Sequence, residues 1–464
     1  MKKFLSLAIT LASVISCRNA GFNDMYVGVS ESNPHYFSIG PEDQPFIPIG
    51  CNIAAVGSNR EMETYIRHIS ENGGNFGRVW LNSSLYEIEK EYGHIDTTQL
   101  RNIDTLLILA QKYNIKVKLC IESFRHIRPG RNRWDTKASY HISNGGPFVN
   151  MEEYICSEKG RQEFMNRVRI LKDRYGNHPA VFGWELWNEM NAVASPEQSI
   201  IDWNADMLPL VKEMFPRNMV MQSLGSLDNT WSHQFYETIN AMEHNEVSQV
   251  HRYLDEGAPM KICQAPVDVF CADAIEYIRK IGPAKPLLLA ESGAVKPVHT
   301  GPSHLYPKDT AGTILHDVLF TPFFCGAAGP GHLWHWDHHI IKQDTWFQMQ
   351  RFANAIEGIN PIKEKFTPLR CDSGRLRAYA LKGENTTLVW CRDTVSTWRS
   401  ELEQDIPAKL ISGAYIDLGK VIADKKEIRI SLYDPWEDRW TQMEDNPNVS
   451  LRDFRRSCVI KAEY

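Results

Sequence analysis

Two glutamates stand at the ends of apolar runs. One closes Gly183-Trp184-Glu185-Leu186-Trp187-Asn188-Glu189-Met190-Asn191, the other Leu287-Leu288-Leu289-Ala290-Glu291-Ser292-Gly293. Each run reads as a buried strand delivering a carboxylate at its C-terminal end. Two facing carboxylates suit glycoside hydrolysis. One, held protonated, donates to the leaving oxygen; the other attacks the anomeric carbon or activates water. A gap of about 5 to 5.5 Å gives retention of configuration, and about 6.5 to 9.5 Å gives inversion. Most glutamates are surface or ion-paired residues, so either one alone is weak; the pair carries the inference.

The elements that must position them alternate. From residue 46 to about 360 short apolar runs are followed by helical patterns. Phe46 to Cys51 reads as strand one, Phe76 to Leu81 as two, Ile115 to Ile121 as three and Ala180 to Trp187 as four. Met219 to Leu224, Val247 to Val250, Pro286 to Ala290 and roughly Cys325 to Trp336 follow as strands five to eight. Met62, Ile66 and Ile69 repeat at helical spacing and stop at Asn72-Gly73-Gly74, a C-cap signal. Leu100 to Tyr113 reads as a helix, and Trp346, Met349, Ala353 and Ile356 mark a closing one. Eight strand–helix units predict a (β/α)8 TIM barrel over residues 44–360; an open doubly wound sheet shows the same alternation, so the count decides. In such a ring strands four and seven lie opposite, and Glu189 faces Glu291 across the mouth.

Strand phase sharpens the choice. Alternate residues share a face, so Leu287, Leu289 and Glu291 point one way, and Val247, Gln249, His251 and Tyr253 likewise share one face. Asn188 and Glu189 are adjacent and both point inward only through a bulge or bend. Glu185 shares the phase of Glu189 but lies deep in the barrel, so Glu189 is preferred.

After Asn360-Pro361 the runs Leu376 to Lys382, Thr386 to Arg392, Lys409 to Leu418 and Glu427 to Tyr433 are short, β-rich and separated by turn residues. They predict an antiparallel β-sandwich over 361–464. Before the barrel, Met1-Lys2-Lys3 and the apolar Phe4 to Ile15 form a signal segment too short to span a bilayer. It ends at Val14-Ile15-Ser16-Cys17, which resembles a lipoprotein lipobox with Cys17 lipidated, so 1–17 is read as signal and 18–43 as a lead-in. This implies an exported protein, lipid-anchored to the bacterial cell envelope and touching the membrane only through that anchor. A plain secretory signal cut nearby is the simpler alternative.

Composition is that of an ordinary globular chain: 464 residues, 43% hydrophobic, 23% charged, formal net charge −6, or −8 once Lys2 and Lys3 are removed. No basic tail offsets the charge, which argues against a nucleic-acid partner. Nine cysteines remain after Cys17, without regular spacing, so they form no disulfide framework. Cys51, Cys120 and Cys325 read as small buried hydrophobes; Cys263 and Cys271 stay open as a pair. Thirteen Trp and seventeen Tyr are a generous supply for stacking on flat apolar ligand faces.

Trp-Asn-Glu on strand four with a second Glu on strand seven resembles the clan A retaining glycoside hydrolases, most closely the cellulase-like family 5 and its relatives. The resemblance covers residues 36 to about 345. It implies a retaining O-glycosyl hydrolase with no cofactor and an oligo- or polysaccharide substrate, β-glucan or β-mannan by default. By it Glu189 is the general acid/base and Glu291 the nucleophile. Asn188 holds the sugar 2-hydroxyl, and His251-Arg252-Tyr253 resembles the family's His-x-Tyr, with Tyr253 beside the nucleophile. Arg78 resembles the arginine that keeps the nucleophile ionised. Trp334 or Trp336 is the platform under the sugar nearest the cleaved bond. One departure stands out: strand three ends Ile121-Glu122-Ser123, where these enzymes often carry a histidine.

Other readings stay open. The cluster His332, His335, His338 and His339 suggests a metal, but His332 and His335 face opposite ways in a strand, so no metal is assigned. The loop over 123–157 carries Phe124, His126, Trp134, Tyr140 and Phe148 with Arg125, Arg128, Arg131 and Arg133. It is either a packed lid or a surface that stacks on further sugars and meets carboxylated ones. The rivals are an exo-acting enzyme on another, anionic glycan, and a non-catalytic surface glycan-binding protein on a barrel scaffold.

Overall fold

The computed structural model describes residues 25–129, 138–422, 425 and 427–464. The signal segment with Cys17, and Arg131, Arg133 and Trp134 of the long loop, lie outside the described residues.

Strands one (Gly50–Asn52), two (Phe76–Trp80), three (Lys116–Glu122), four (Val181–Trp187) and five (Met219–Met221) pair in sequence order as a parallel sheet. Strands six (Ser248–His251) and seven (Leu287–Glu291) pair in parallel beside it. Glu246 bridges five and six: its N–H donates to Val220 O at 3.0 Å, and its carboxylate accepts from Val220 N at 2.8 Å.

The eighth staff differs from the expected strand over 325–336. Cys325 instead caps a helix, Thr313–Phe324, and the chain then runs extended without a regular ladder. Gly326, Gly329, Pro330 and Gly331 explain this, since proline donates no hydrogen bond and glycine weakens a strand. The ring still closes. Ala328 and His332 N–H donate to the Leu287 and Leu289 carbonyls at 2.9 Å, and Asn52 N–H donates to Leu333 O at 3.2 Å. The Asn52 side chain adds hydrogen bonds to Ala290 O and His332 O at 3.1 and 3.3 Å, stitching strand one to both seven and eight.

Helices alternate with these strands. Asn59–Glu71 starts on Ser58, whose side chain accepts from Glu61 N, and buries Met62, Ile66 and Ile69. Every residue of Thr313–Phe324 is buried. That pattern belongs to a helix covered on all sides, and here the C-terminal sheet supplies the outer cover. Below the barrel, strands Val27–Val29, Phe37–Ile39 and Gln44–Phe46 form a small antiparallel sheet. Its Phe37 and Phe46 join Phe76, Phe182, Leu288 and Ala290 in one cluster that plugs the barrel floor.

The C-terminal part is a six-stranded antiparallel sheet in the order Thr367–Arg370, Leu376–Lys382, Thr386–Asp393, Ser457–Glu463, Arg429–Asp434, Arg439–Gln442. A two-stranded sheet, Tyr415–Asp417 with Asn448–Ser450, accompanies it. One face of the large sheet (Tyr379, Leu381, Leu388, Trp390, Val459) joins the barrel's own core. The other face (Ala378, Ala380, Val389, Ile430, Ile460) forms a separate core with Ile416 and Val449 of the small sheet. At about 1.5–3 kcal/mol per fully buried Leu or Val, Leu381, Leu388 and Val459 alone hold the sheet to the barrel by several kcal/mol. Buried ion pairs add orientation: Arg392 meets Asp317 through two hydrogen bonds of 2.7 and 3.0 Å, and Arg377 meets Asp268 at 2.5 and 2.8 Å.

All nine cysteines among the described residues are free, Cys263 and Cys271 included. Cys51, Cys120 and Cys325 are buried.

Candidate active site

The floor of the site is a charged layer on the inner faces of strands two, three and four. Arg78 donates from Nε and Nη2 to the two oxygens of Glu185, at 2.9 and 2.6 Å. Lys118 stands 3.0 Å from Glu185, and Ser223 donates to it at 2.5 Å. Burial raises the Glu185 carboxyl, but the Arg78 and Lys118 charges outweigh it and hold the group ionised, far below the usual carboxylate range. Burial pushes the Lys118 amine down to about 8, against the pull of Glu185. Glu185 is thus consumed as an anchor below the site.

Arg78 has N–H protons left over, and they point up. Nη1 donates to Glu291 Oε1 at 2.5 Å and to Asn52 Oδ1 at 3.1 Å, and Nη2 donates to Asn188 Oδ1 at 2.6 Å. One planar guanidinium therefore ties the floor to both strand-end motifs, which a lysine's point charge cannot do. The Tyr253 hydroxyl donates to Glu291 Oε2 at 2.6 Å. Both oxygens of Glu291 are held.

Local backbone devices bring the acids inward. Glu189 sits at φ 51°, ψ 56°, left-handed and unusual for a non-glycine residue. This is the bend that lets Asn188 and Glu189 both reach the mouth. The surroundings fix it: Asn188 N–H donates to Glu122 O at 2.7 Å, and Glu189 N–H donates to Ser223 Oγ at 3.1 Å. On strand seven the expected phase of Leu287, Leu289 and Glu291 is broken. Leu288 and Ala290 lie in the barrel-floor cluster, whereas Leu287 and Leu289 lie in the cluster shared with the helices. A register shift between Leu289 and Glu291 then turns Glu291 inward as well. Gly293 follows at φ 127°, where a Cβ would come within 2.7 Å of the Tyr306 hydroxyl, so this position needs glycine.

His251 Nδ1 lies 3.1 Å from Glu189 Oε1 and 3.5 Å from Glu291 Oε2. With carboxylates as its neighbours, Nδ1 carries the proton. One oxygen of Glu189 and one of Glu291 lie within 4.8 Å of each other. The second Glu189 oxygen accepts from Arg125, on the loop after strand three. Burial pushes the Glu189 carboxyl up, but Arg125, His251 and His299 together outweigh burial and hold it well below the usual carboxylate range.

Above the acids the cleft has two halves. The first is lined by Trp80, Asn188, Tyr253, Glu291, Val295, Trp334 and His335. The second is lined by Asn191, Ala192, Gly225, Ser226, Asp228, Asn229 and Trp231. Arg125, Glu189 and His299 border both. Of the two platform candidates Trp334 lines the cleft, packed on Trp80 with ring centroids 4.9 Å apart. Trp336 is buried, edge-on to Trp334, at the start of the following helical turn.

The histidine cluster is dispersed. His332 Nε2 donates to Pro48 O at 3.0 Å and stacks on Phe76, and burial pushes its pKa down to about 3. His339 meets Asp309 at 2.9 Å, His335 faces Tyr306 at 3.2 Å, and His338 meets Asp337 at 2.8 Å. Among the described residues two other groups bring candidate metal ligands together, Glu189 with His251 and Glu291, and Asp228 with Asp255 and His299. In the first, every carboxylate oxygen already accepts from Arg78, Tyr253, Arg125 or His251. In the second, Asp255 accepts from the N–H groups of Gly257, Val298 and His299. Glu122, at the departure on strand three, lies outside the cleft lining. It pairs with Arg167 at 3.2 Å beneath the loop, beside Glu87.

Sequence reasoning missed Trp80, Ser223, Asn52 and His299. Trp80 ends strand two in phase with Arg78, so strand-end position alone carried its signal. The other three reach the site through side-chain contacts that spacing does not show: Asn52 Oδ1 on Arg78, Ser223 Oγ on Glu185 and His299 Nε2 beside Asp228.

A model of the family described as Cellulase (glycosyl hydrolase family 5) matches residues 41–309, more than half of the chain. Among curated proteins the chain is 23% identical over 178 residues to probable mannan endo-1,4-beta-mannosidase F of Aspergillus flavus, covering 35% of this chain and 36% of that protein. It is 23% identical over 188 residues to mannan endo-1,4-beta-mannosidase 4 of Oryza sativa subsp. japonica, covering 38% and 40%. The chain thus spans two fifths or less of the length of these relatives. Among solved structures, a glycoside hydrolase family 5 protein from Bacteroides vulgatus superposes with TM-score 0.62 at 14% identity, over 95% of this chain and 93% of that one. That extent shows the fold is shared through the C-terminal sheets as well as the barrel.

Proposed function

The chain belongs to glycosyl hydrolase family 5, and from that premise we propose that it is a retaining glycosidase acting on β-linked mannan-type poly- or oligosaccharides. The observation that carries the reading is the approach of Glu189 and Glu291, with one oxygen of each within 4.8 Å of the other. That spacing suits double displacement, in which the two carboxyl groups stand only about 5–5.5 Å apart. Glu291, held by Arg78 and Tyr253, attacks the anomeric carbon while Glu189 protonates the glycosidic oxygen; Glu189 then deprotonates the water that releases the sugar. Asn188, fixed by Arg78, faces the sugar bound over Glu291, and Trp334 supplies its stacking face. The preference for mannan rests on the relatives that are mannan endo-1,4-beta-mannosidases.

The test is product analysis on β-mannan, β-glucan and β-galactan with the wild type and with Glu189→Gln and Glu291→Gln. Expected are β-configured products from mannan and a loss of several orders of magnitude in each variant, as removal of an acid or a nucleophile brings. Binding without hydrolysis across the panel would instead favour the glycan-binding role. The C-terminal sheets are proposed as a sandwich that braces the barrel. The lipobox at Val14 to Cys17 supports a lipid anchor, which labelling of the expressed chain with a fatty acid, lost in Cys17→Ala, would check.

A further inference from the structure

The two halves of the cleft meet at Arg125, Glu189 and His299. A saccharide cleaved at Glu189 must lie across that junction, with one sugar over Glu291 and Trp334 and the next toward Asp228 and Trp231. The Arg125 guanidinium stands in this path with its hydrogen bond on Glu189 Oε2. Its backbone is anchored, since Ala194 N–H donates to Arg125 O at 2.9 Å. Its side chain, however, is 36% exposed against 10% for Glu189. An ion pair with one wet, long-stemmed partner is cheap to break.

The other charged groups around Glu189 are fixed. His251 on strand six is fully buried between Glu189 and Glu291. His299, on the loop after strand seven, has Nε2 3.5 Å from Asp228 and 3.7 Å from Asp255. Its backbone is clamped, with Val298 and His299 both at positive φ and their N–H groups on the Asp255 carboxylate. Arg78 is committed to Glu185, Glu291 and Asn188, and Ser223 joins Glu185 to the Glu189 backbone. Among the described residues Arg125 is the cation on Glu189 that substrate can move.

Resting on the reading of Glu189 as proton donor, we propose that Arg125 is a displaceable positioning arm: it occupies the acid in the empty cleft, and the entering saccharide pushes it off. Glu189 then takes a proton from solvent and passes it to the glycosidic oxygen as Glu291 bonds to the anomeric carbon. The carbon–oxygen bond breaks and the leaving sugar departs as a neutral alcohol. Burial, which alone raises the Glu189 carboxyl, is what lets the acid hold its proton once the arm is gone.

The test compares wild type, Arg125→Gln and Arg125→Lys on the glycan the wild type cleaves and on the dinitrophenyl glycoside of its sugar, whose leaving group needs no proton. The free enzyme sets the pH limbs of kcat/KM and the complex those of kcat. In Arg125→Gln the alkaline limb of kcat/KM on the glycan moves up by about one pH unit or more, as loss of an adjacent opposite charge requires. The alkaline limb of kcat moves much less, and Arg125→Lys stays near wild type. On the dinitrophenyl glycoside no alkaline shift occurs. An unmoved kcat/KM limb in Arg125→Gln, or equal movement of both limbs, overturns the proposal while leaving the hydrolase reading intact. Absence of any hydrolysis by the wild type overturns both.

Discussion

Glu185 accepts two near-parallel hydrogen bonds from Arg78, at 2.9 and 2.6 Å, with both side chains wholly buried. This pair sets the plane in which the remaining Arg78 N–H groups reach Glu291 and Asn188. Glu185→Gln removes the charge that balances Arg78 and Lys118 inside the barrel. Breaking one side of a buried pair costs about 3–5 kcal/mol, less here because Lys118, already pushed down to about 8, sheds its proton. The expected result is a folded protein with a lower urea midpoint and a reduced kcat. An unchanged midpoint would remove the floor layer from the account of how Arg78 is held.

Tyr253 gives its only hydroxyl proton to Glu291 Oε2 at 2.6 Å. A hydrogen bond to a charged acceptor is worth about 1.5–3 kcal/mol. Tyr253→Phe is therefore expected to lower kcat/KM roughly 10- to 100-fold with stability little changed. The loss is expected in kcat, with KM little changed, because the hydroxyl touches the attacking carboxylate. A Tyr253→Phe enzyme whose KM rises while kcat holds would assign the tyrosine to substrate contact instead.

The parts of this site legible in the sequence are those where a residue type sits at a strand end. Glu189, Glu291, Asn188, Arg78, His251 and Tyr253 are all drawn together. What was not legible is backbone irregularity. The register shift on strand seven reverses the phase on which Glu291 was placed inward, and the outcome survives because the shift and the error cancel. The bend at Glu189 was required by the adjacent pair, but its left-handed form and its anchor on Ser223 were not readable. Strand eight was overextended because Cys325 to Trp336 is apolar, while its glycines and Pro330 permit only scattered ladder bonds. Composition marks Arg125 as a loop cation; its contact with Glu189 depends on where the loop lies, which composition does not fix.

Arg392 and Asp317 join the C-terminal sheet to the wholly buried helix Thr313–Phe324 through hydrogen bonds of 2.7 and 3.0 Å. Arg392→Met leaves the Asp317 charge buried without its partner and is expected to cost about 3–5 kcal/mol. The double change Arg392→Met with Asp317→Leu should recover most of that loss, since an apolar pair of similar volume is often as stable as a buried ion pair. Equilibrium unfolding of the two single variants and the double closes the cycle. Additive losses would show that the pair does not couple barrel to sheet.

Arg167 meets two buried carboxylates at once, Glu87 at 2.7 Å and Glu122 at 3.2 Å. One guanidinium cannot neutralise both, and burial pushes the Glu122 carboxyl up to about 8 despite Arg167. In the unfolded chain the same group titrates at about 4.3. Between those two values the folded state holds a proton that the unfolded state lacks. This contribution to stability is therefore full below the unfolded value and is lost as pH rises through about 8, at roughly 1.4 kcal/mol per pH unit within the window. Glu122→Gln keeps the neutral form at every pH. Its unfolding free energy should lie near wild type at the acidic end and exceed it by more than about 1 kcal/mol at the alkaline end. Urea unfolding of both proteins at several pH values across the window measures the difference directly, with other titrating groups cancelling between them. Parallel curves would mean that Glu122 is ionised in the folded protein and that Arg167 carries both carboxylates.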